Sequence, residues 1–374
     1  MADSFESRYE IKSVGVHGTY LDVIDDYTGM SLTLVVNDVG SLTLDMPPDY
    51  PLNKLVPDTR FEVWRAVGTG PLKLLGNTQF ILQEIKRGRD QNGARTLQVV
   101  APTINSILKR RVIPYNDDGS VYVERVDYSE NIMKYAVYWN FMLPTDTNRM
   151  IATATFDTET ATTALTSVVG AQYAHKIVAD VLKDLADQSY QLGYALYYDI
   201  EATAPPGSLL FKTYRVRGQD RRSSSTSGQL LLGYDLGNIG AYTISEIYTD
   251  EITFVYCAGP GEDDVRSVIT AEDTTRSGRS VFGRRELWED YQDGDDDAKL
   301  TSRANALLAA NRPQKIFEGE MINVPGTLFG VHWNWGDILP VSVEGESFDT
   351  VVSAVSIGMQ SGKEDIRAVL RSVS

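Results

Sequence analysis

The chain has 374 residues, too many for one comfortable core, so two or three domains are the prior. Hydrophobic residues at 42%, charged residues at 23% and aromatics at 10% exclude the disordered and membrane classes. A formal net charge of −16 excludes a basic nucleic-acid-binding face, yet an acidic wall would let a polyanion slide past, and solubility alone explains the charge equally well.

Residues 1–8 lack the apolar core of a secretory leader, and no stretch approaches the roughly 20 apolar residues of a membrane span. Folding in a reducing cytosol is expected. Residues 32–36 and 41–46 alternate around the turn 37–40 and read as a hairpin ended by Pro47 and Pro48. Residues 59–64 alternate as a half-buried strand, and strands 80–85 and 96–100 flank the turn Asp90-Gln91-Asn92-Gly93. This part is antiparallel β.

The middle changes character. Ser129 is placed to cap a helix reaching about Phe141, and a second helix is expected from about Ala174 to Ser189. In it Ile177, Val178, Val181, Leu182 and Leu185 form one stripe, opposed by Lys176, Asp180, Lys183, Asp184 and Asp187. Strands at 196–200 and 209–212 follow across the turn 205–207, giving an α/β insertion. The run 221–228 (Arg-Arg-Ser-Ser-Ser-Thr-Ser-Gly) is low in complexity and reads as a mobile loop. From Tyr242 the chain is strand-like again, clearest at 251–256, and the one cysteine, Cys257, reads as a small core residue. Asp293 to Asp297 open a helix whose inward residues are Leu300, Ala304, Leu307 and Leu308 and which Pro313 stops.

Two distant segments share one order. Pro57-Asp58, strand, turn, strand 80–85, turn at Asn92-Gly93, strand 97–100 is echoed by Gly336-Asp337, strand 338–343, turn 344–346, strand 348–357, turn 361–363, strand 366–370. Residue identity is low and β-rich chains produce such echoes by chance, so duplication and coincidence both stay open. A duplicated module would let three chains present six equivalent surfaces.

The segment Leu328-Phe329-Gly330-Val331-His332-Trp333-Asn334-Trp335-Gly336-Asp337-Ile338-Leu339-Pro340-Val341 resembles the "(Y/F)G-x-x-W-x-x-GD-x-(V/L)" signature of siphophage tail-tip proteins of the baseplate hub class. Residues 211–221, ending in Gly218-Gln219-Asp220-Arg221, resemble the strand and "G-x-DR" element of the same proteins, and Gly283-Arg284-Arg285-Glu286 resembles their "GRRE"-like element. The similarity runs from about Tyr9 to Val373 in the right order, and its specificity lies in that order and spacing. It implies an α+β, mainly β fold: two tail-tube-like hub β-barrels with an α/β insertion domain. The expected division is 1–112 for the first barrel, 113–245 for the insertion, part of which could return to complete the first barrel, and 246–374 for the second barrel with a helix about 297–311.

The resemblance further implies a non-enzymatic homotrimer at the tail tip of a virion, adapting a sixfold tube to threefold tip components. Its partners would be copies of itself, the tail tube or distal tail ring protein, the tape measure protein, and spike, fibre or receptor-binding tip proteins. DNA would pass transiently along a lumen lined by acidic side chains, with no stable membrane association and no cofactor. The signature residues are Gly330, Trp333, Trp335, Gly336, Asp337, Gly218, Asp220 and Arg221. Gly336-Asp337 suits a tight turn, and Trp333 and Trp335 would fill a barrel or subunit seam; an ordinary hairpin beside core aromatics has the same chemistry. No larger relative's extension follows Ser374, so a lytic or receptor-binding domain is expected on another protein.

Catalysis has little to build on. His17, His175 and His332 are widely separated and lack an HExxH motif or nucleophile elbow, so no catalytic residue is assigned. Paired carboxylates for glycoside hydrolysis could occur anywhere in so acidic a chain, which leaves a tail-associated polysaccharide hydrolase, or a carbohydrate-binding receptor module, as the alternative. Residues 290–297 (Asp-Tyr-Gln-Asp-Gly-Asp-Asp-Asp) lack EF-hand spacing and read as a loop and helix N-terminus, and 116–119 and 90–93 read as turns, so no metal ligand is assigned.

Overall fold

The computed structural model describes residues 7–114, 123–152, 156–160, 165–203, 206–222, 228–261, 266–291, 296–360 and 362–373. The turn at 116–119, most of the 221–228 run and parts of the turns at 205–207, 290–297 and 361–363 therefore lie outside the described residues. Contacts divide the chain into two compact units, one of Met1–Ser189, Tyr194–Tyr242 and Glu318–Ser374, the other of Tyr190–Gly193 and Thr243–Phe317.

Alternation builds the larger unit. Gly29–Val35 and Ser41–Met46 bury Met30, Leu32, Leu34, Leu42, Leu44 and Met46 and pair as the expected hairpin. They belong to a long sheet whose path is Ile239–Ile247, Gln314–Ile322, Lys363–Ser372, Glu346–Gln360, Gly29–Val35, Ser41–Met46, Arg95–Pro102, Glu84–Arg89. Another sheet runs Tyr20–Ile24, Ser7–Val14, Arg60–Val67, Lys73–Leu74. The expected strand 80–85 is split between the two. Phe80–Ile81 pairs with Arg60 and Phe61, while Glu84–Arg89 pairs with Arg95–Pro102, and the chain bends at Leu82 and Gln83 to change sheets. Among the described residues no sheet closes on itself into a barrel.

The echo between the two segments extends to single hydrogen bonds. Leu82 N donates to Thr59 O (2.8 Å) and Asp58 N to Leu82 O (3.4 Å); Val352 N donates to Asp337 O (2.9 Å) and Gly336 N to Val352 O (3.1 Å). Asp58 and Gly336 both have positive φ, 63° and 81°. Arg60 faces Ile81 as Ile338 faces Val351, and Glu84 faces Val100 as Ala354 faces Val369. Where the first copy bends at Leu82 and Gln83, the second carries a register shift between Val352 and Ala354. The two segments are one backbone pattern written twice, with little shared sequence.

The second copy is completed from the middle of the chain. Leu232–Gly233 pairs in parallel with Val341 and Ser342, and Asp220 bridges Ile338, so part of the expected insertion joins the C-terminal strands. Between Leu232–Gly233 and Ile239–Ile247 the side chain of Asn238 replaces a ladder. Its Oδ1 accepts from Gly233 N (2.8 Å), its Nδ2 donates to Leu231 O (3.2 Å), and its own carbonyl accepts from Ile322 N (2.9 Å).

The insertion shares a core with Ile81, Ile104, Ile107 and Leu108 of the first segment. Helices Ser129–Val137 and Val178–Gln191, the pair Val123–Tyr128 with Val168–Tyr173, and the sheet Phe156–Thr158, Leu209–Tyr214, Tyr197–Ala202 share a cluster that includes Ile132, Leu182, Phe156 and Phe211. Ser129 is the first helical residue rather than the cap, which is Tyr128 without a side-chain bond. The second helix starts four residues later than expected because 174–177 pairs with 111–113 instead: Ile113 N donates to Lys176 O (2.8 Å) and His175 N to Ile113 O (2.7 Å).

In the smaller unit Phe254–Ala258 lies between Val268–Glu272, antiparallel, and Glu286–Asp290, parallel. Helix Asp297–Ala310, capped by Asp296 accepting from Lys299 N, lays Leu300, Ala304 and Leu308 on Val255 and Cys257. That helix, expected inside the second barrel, packs here on a sheet of its own.

Replacing Asn238 by Ala strands the buried Gly233 N–H. We expect a loss of about 1–3 kcal/mol in the larger unit, read as a lower urea midpoint at unchanged slope.

Candidate functional site

The signature residues converge on one fully buried carboxylate. The chain reaches it through a turn at Gly336 (φ 81°), where a Cβ would sit 2.6 Å from Arg217 Cγ, so glycine is required. Asp337 Oδ1 accepts from Gln219 N (2.7 Å); Oδ2 accepts from Arg221 Nε (2.7 Å) and Asn334 N (2.9 Å). Gly218 N donates to Gly336 O (2.9 Å), and a Cβ on Gly218 would lie 2.3 Å from Asp337 Oδ1. The two motifs, more than a hundred residues apart, are two sides of one lock. Asp220 is not part of it: its carboxylate turns outward to Arg222, which also reaches Asp349 (2.7 Å).

The tryptophans brace the lock. Trp333 is wholly buried, donates through Nε1 to Thr327 O (2.6 Å) and packs on Phe329 at 4.8 Å. Trp335 lies under the Arg217 guanidinium at 4.4 Å. Arg217 Nη2 in turn donates to Asp199 Oδ2 (2.6 Å) and Gly76 O (2.8 Å), and Asp199 also takes Asn105 Nδ2 (2.9 Å). Burial pushes the Asp199 carboxyl up against the pull of Arg217. Gly330 (φ 79°) leaves room for Arg65, which donates through Nη1 to Phe329 O (2.9 Å) and clasps Glu364 through Nε (2.8 Å) and Nη2 (2.9 Å). Tyr9 hydroxyl donates to Glu364 as well. Burial would push Glu364 up, but the bonds from Arg65 and Tyr9 hold it below the usual carboxylate range.

Arg65, Glu364, Tyr9, Arg217 and Asp199 escaped the sequence reading. For Arg65 a signal existed: it stands two and four residues after Val63 and Phe61 and shares their side of the strand, although the strand is not half-buried as expected, since Arg60 and Glu62 on the other side are buried too. The other partners are brought together only by tertiary pairing.

A cleft of about 1270 Å³ opens beside the lock, lined among others by Arg65, Lys73, Glu201, Lys212, Arg217 and Trp335. Its carboxylates are engaged: Glu201 meets Lys212 at 3.1 Å, and Asp337 meets Arg221. His332 Nδ1 accepts from Leu328 N (2.9 Å), closing a turn. In the acidic run, Asp290 pairs with Arg266, Asp296 caps the helix and Asp297 accepts from Ser267 hydroxyl (2.8 Å). Among the described residues no group of three or more His, Cys, Asp or Glu side chains is placed to hold a metal.

The fold is that of phage tail proteins. It matches the tail protein from Neisseria meningitidis MC58 (TM-score 0.55, 13% identity, 97% of this chain and 96% of that one) and the 43 kDa tail protein of prophage MuSo2 from Shewanella oneidensis (0.55, 13%, 98% of each). Prophage tail protein gp18 from Listeria monocytogenes EGD-e is similar at 0.53 and 12% identity, over 98% of this chain and 94% of that one. Residues 17–370 match the Siphovirus ReqiPepy6 Gp37-like protein family, and the chain belongs to it. No curated protein matches. The siphophage tail-protein resemblance thus holds over almost the whole chain.

Asp337→Ala breaks the buried ion pair with Arg221 and takes the acceptor from Gln219 N and Asn334 N, and is expected to cost about 3–5 kcal/mol, measured by denaturant unfolding. Because Glu364 is held below its ordinary range, its contribution is present above that range and fades as pH falls through the lowered value. The stability gap between wild type and Glu364→Gln is therefore expected to be widest near neutral pH and to shrink in acid.

Proposed function

We propose that the chain is a baseplate hub protein of the tail tip, three copies of which close a ring joining the sixfold tail tube to threefold tip components. The repeated module carries this reading. Inside one chain the second module is joined to the first by a ladder from Ala354–Val35 to Gln360–Gly29. The strand equivalent to Glu346–Gln360 in the first module is Glu84–Arg89, an open edge at one end of the sheet path; Ile239–Ile247 is the open edge at the other end. Open edges invite pairing. Repeating the internal joint between chains would pair these edges head to tail, and a heterologous joint that closes gives a ring. Each chain supplies two like modules, so three chains supply six, the number a sixfold tube meets. In this reading the modules are the two hub barrels, with sheets that complete their walls by pairing along the ring.

The exposed face of the long sheet would line the channel. It carries Ser31, Thr33, Ser41, Thr43, Thr96, Gln98 and Ser356, the pairs Glu318 with Arg371 (3.2 Å), Asp365 with Arg367 (3.3 Å) and Glu84 with Lys86 (3.4 Å), and the further carboxylates Asp45 and Glu320. In this reading the lining is rich in hydroxyls, with much of its charge paired. Such a surface offers DNA neither a cationic hold nor a strong barrier. Partners in this reading are the tail tube or distal ring, the tape measure protein and the spike, fibre or receptor-binding tip proteins. We read the cleft as structural rather than catalytic, because its carboxylates are paired with Lys212 and Arg221.

Native mass measurement is expected to give three copies. Arg87→Pro, at an edge position whose N–H points to the open side, should keep the unfolding profile and give one copy. A wild type that stays a single chain at high concentration, or an Arg87→Pro variant that still forms trimers, overturns the ring.

A further inference from the structure

The first module's free edge ends in unanswered cations. On the hairpin Glu84–Arg89 and Arg95–Pro102, Arg87, Arg89 and Arg95 share the face of Leu97 and Val99, the buried side of the sheet, yet all three are exposed. Arg89 and Arg95 face each other directly, and like charges so placed are destabilising unless a carboxylate answers them. Among the described residues neither Arg87 nor Arg95 meets a carboxylate, and Arg89 reaches the Gly93 carbonyl (2.8 Å).

The second module shows what this position does when it is covered. Glu364 stands where Arg95 stands, facing Met359 as Arg95 faces Arg89. Its carboxylate crosses to the first module, where Arg65 and Tyr9, opposite each other on adjacent strands, receive it. The internal joint is thus closed by an ion lock at the hairpin's end as well as by its ladder.

The receiving position recurs in the second module with the opposite charge. Because Ile338 stands where Arg60 stands, Val343 takes the place of Arg65, and Glu344 follows it. Leu232 and Gly233 face Val341 and Ser342, so Tyr234 comes next at the level of Val343, as Tyr9 lies at the level of Arg65. Tyr234 packs on Tyr242 at 6.0 Å, and Tyr242 hydroxyl donates to Glu344 Oε1 (2.8 Å). Tyr234, Asp235 and Glu344 are exposed, and among the described residues no cation pairs with either carboxylate.

We infer that Arg95, flanked by Arg87 and Arg89, docks on Asp235 and Glu344 beside Tyr234 of the adjacent copy, an intermolecular counterpart of the Glu364–Arg65 lock with the charges exchanged. This contact rests on the ring reading and adds side-chain recognition to its ladder. Strand direction agrees with it. In the internal joint the start of the receiving strand, Gly29, meets the end of the arriving strand, Gln360. Ile239 begins the equivalent receiving strand, since Ile322 N donates to Asn238 O (2.9 Å) there and Asp45 faces Gly29 in the first module. The arriving tip at Arg89 and Arg95 therefore comes to the Tyr234–Asp235 turn. The exchange of charge also keeps the two joints apart: an arriving Arg95 would meet the cation Arg65 in the internal site, and an arriving Glu364 would meet Glu344 in the external one.

The test uses the full chain and exposed positions, so unfolding midpoints should stay as in wild type. Arg95→Glu is expected to raise the trimer dissociation constant about tenfold or more, and Asp235→Arg with Glu344→Arg to do the same. Joining all three substitutions in one chain should return it to near the wild-type value. A cysteine pair, Arg95→Cys with Asp235→Cys, should link chains covalently on air oxidation, up to three. Wild-type trimers whose dissociation is unchanged by Arg95→Glu, or a charge-exchanged chain that recovers nothing, overturn the lock and leave the ring standing. A wild type that stays a single chain at high concentration overturns both.

Discussion

A carboxylate cannot be buried in a protein interior without donors, and the C-terminal module is arranged around meeting that requirement for Asp337. Two backbone N–H groups and the Arg221 guanidinium supply them, and two of the three come from a segment that enters from the middle of the chain. Satisfying one charge thereby fixes the path of the chain from Gly218 to Arg221 and the start of strand Ile338–Val343, which pair directly through Ile338 N and Gln219 O. The glycines on either side permit the approach, since both motifs bring backbone to within side-chain distance of backbone. Trp335 and Arg217 then tie this lock to Asp199 and so to the insertion.

Both modules share a backbone solution but not a lock. Thr59 stands where Asp337 stands, Asp58 where Gly336 stands, and the first copy buries a different polar set: Arg60 donates to Gln79 (2.8 Å), Gln79 to Glu62 (2.6 Å), and Tyr20 and Trp64 to the same Glu62. The ladder geometry is the same while the buried polar groups differ. Backbone pairing is indifferent to side chains as long as alternation holds, whereas each buried charge needs its own donors. A duplication can therefore lose nearly all residue identity and still keep register to the residue.

This explains what could be read from the chain and what could not. Strands and helices came from periodicity, and Gly336-Asp337 came from turn chemistry, because those are local. Asp337 with Arg221 and Arg65 with Glu364 are pairings over long separations, for which local pattern holds no information. Local signals also misled where tertiary bonds outbid them. Residues 80–85 look like one strand but serve two sheets, and 174–177 look helical but pair with 111–113. Asp220, grouped with Arg221 by the motif, faces the opposite way, as neighbours on an extended segment do.

Net charge was the least local clue of all. A sum over the chain says nothing about where charge sits. On the exposed face of the long sheet Glu318 pairs with Arg371 across the ladder, while Asp365–Arg367 and Glu84–Lys86 pair along single strands. If that face lines a channel, its charge bears on how a polyanion moves past. A strongly acidic lining would raise a barrier and a basic one would trap the strand, while hydroxyls and matched pairs hold the potential near zero along the path.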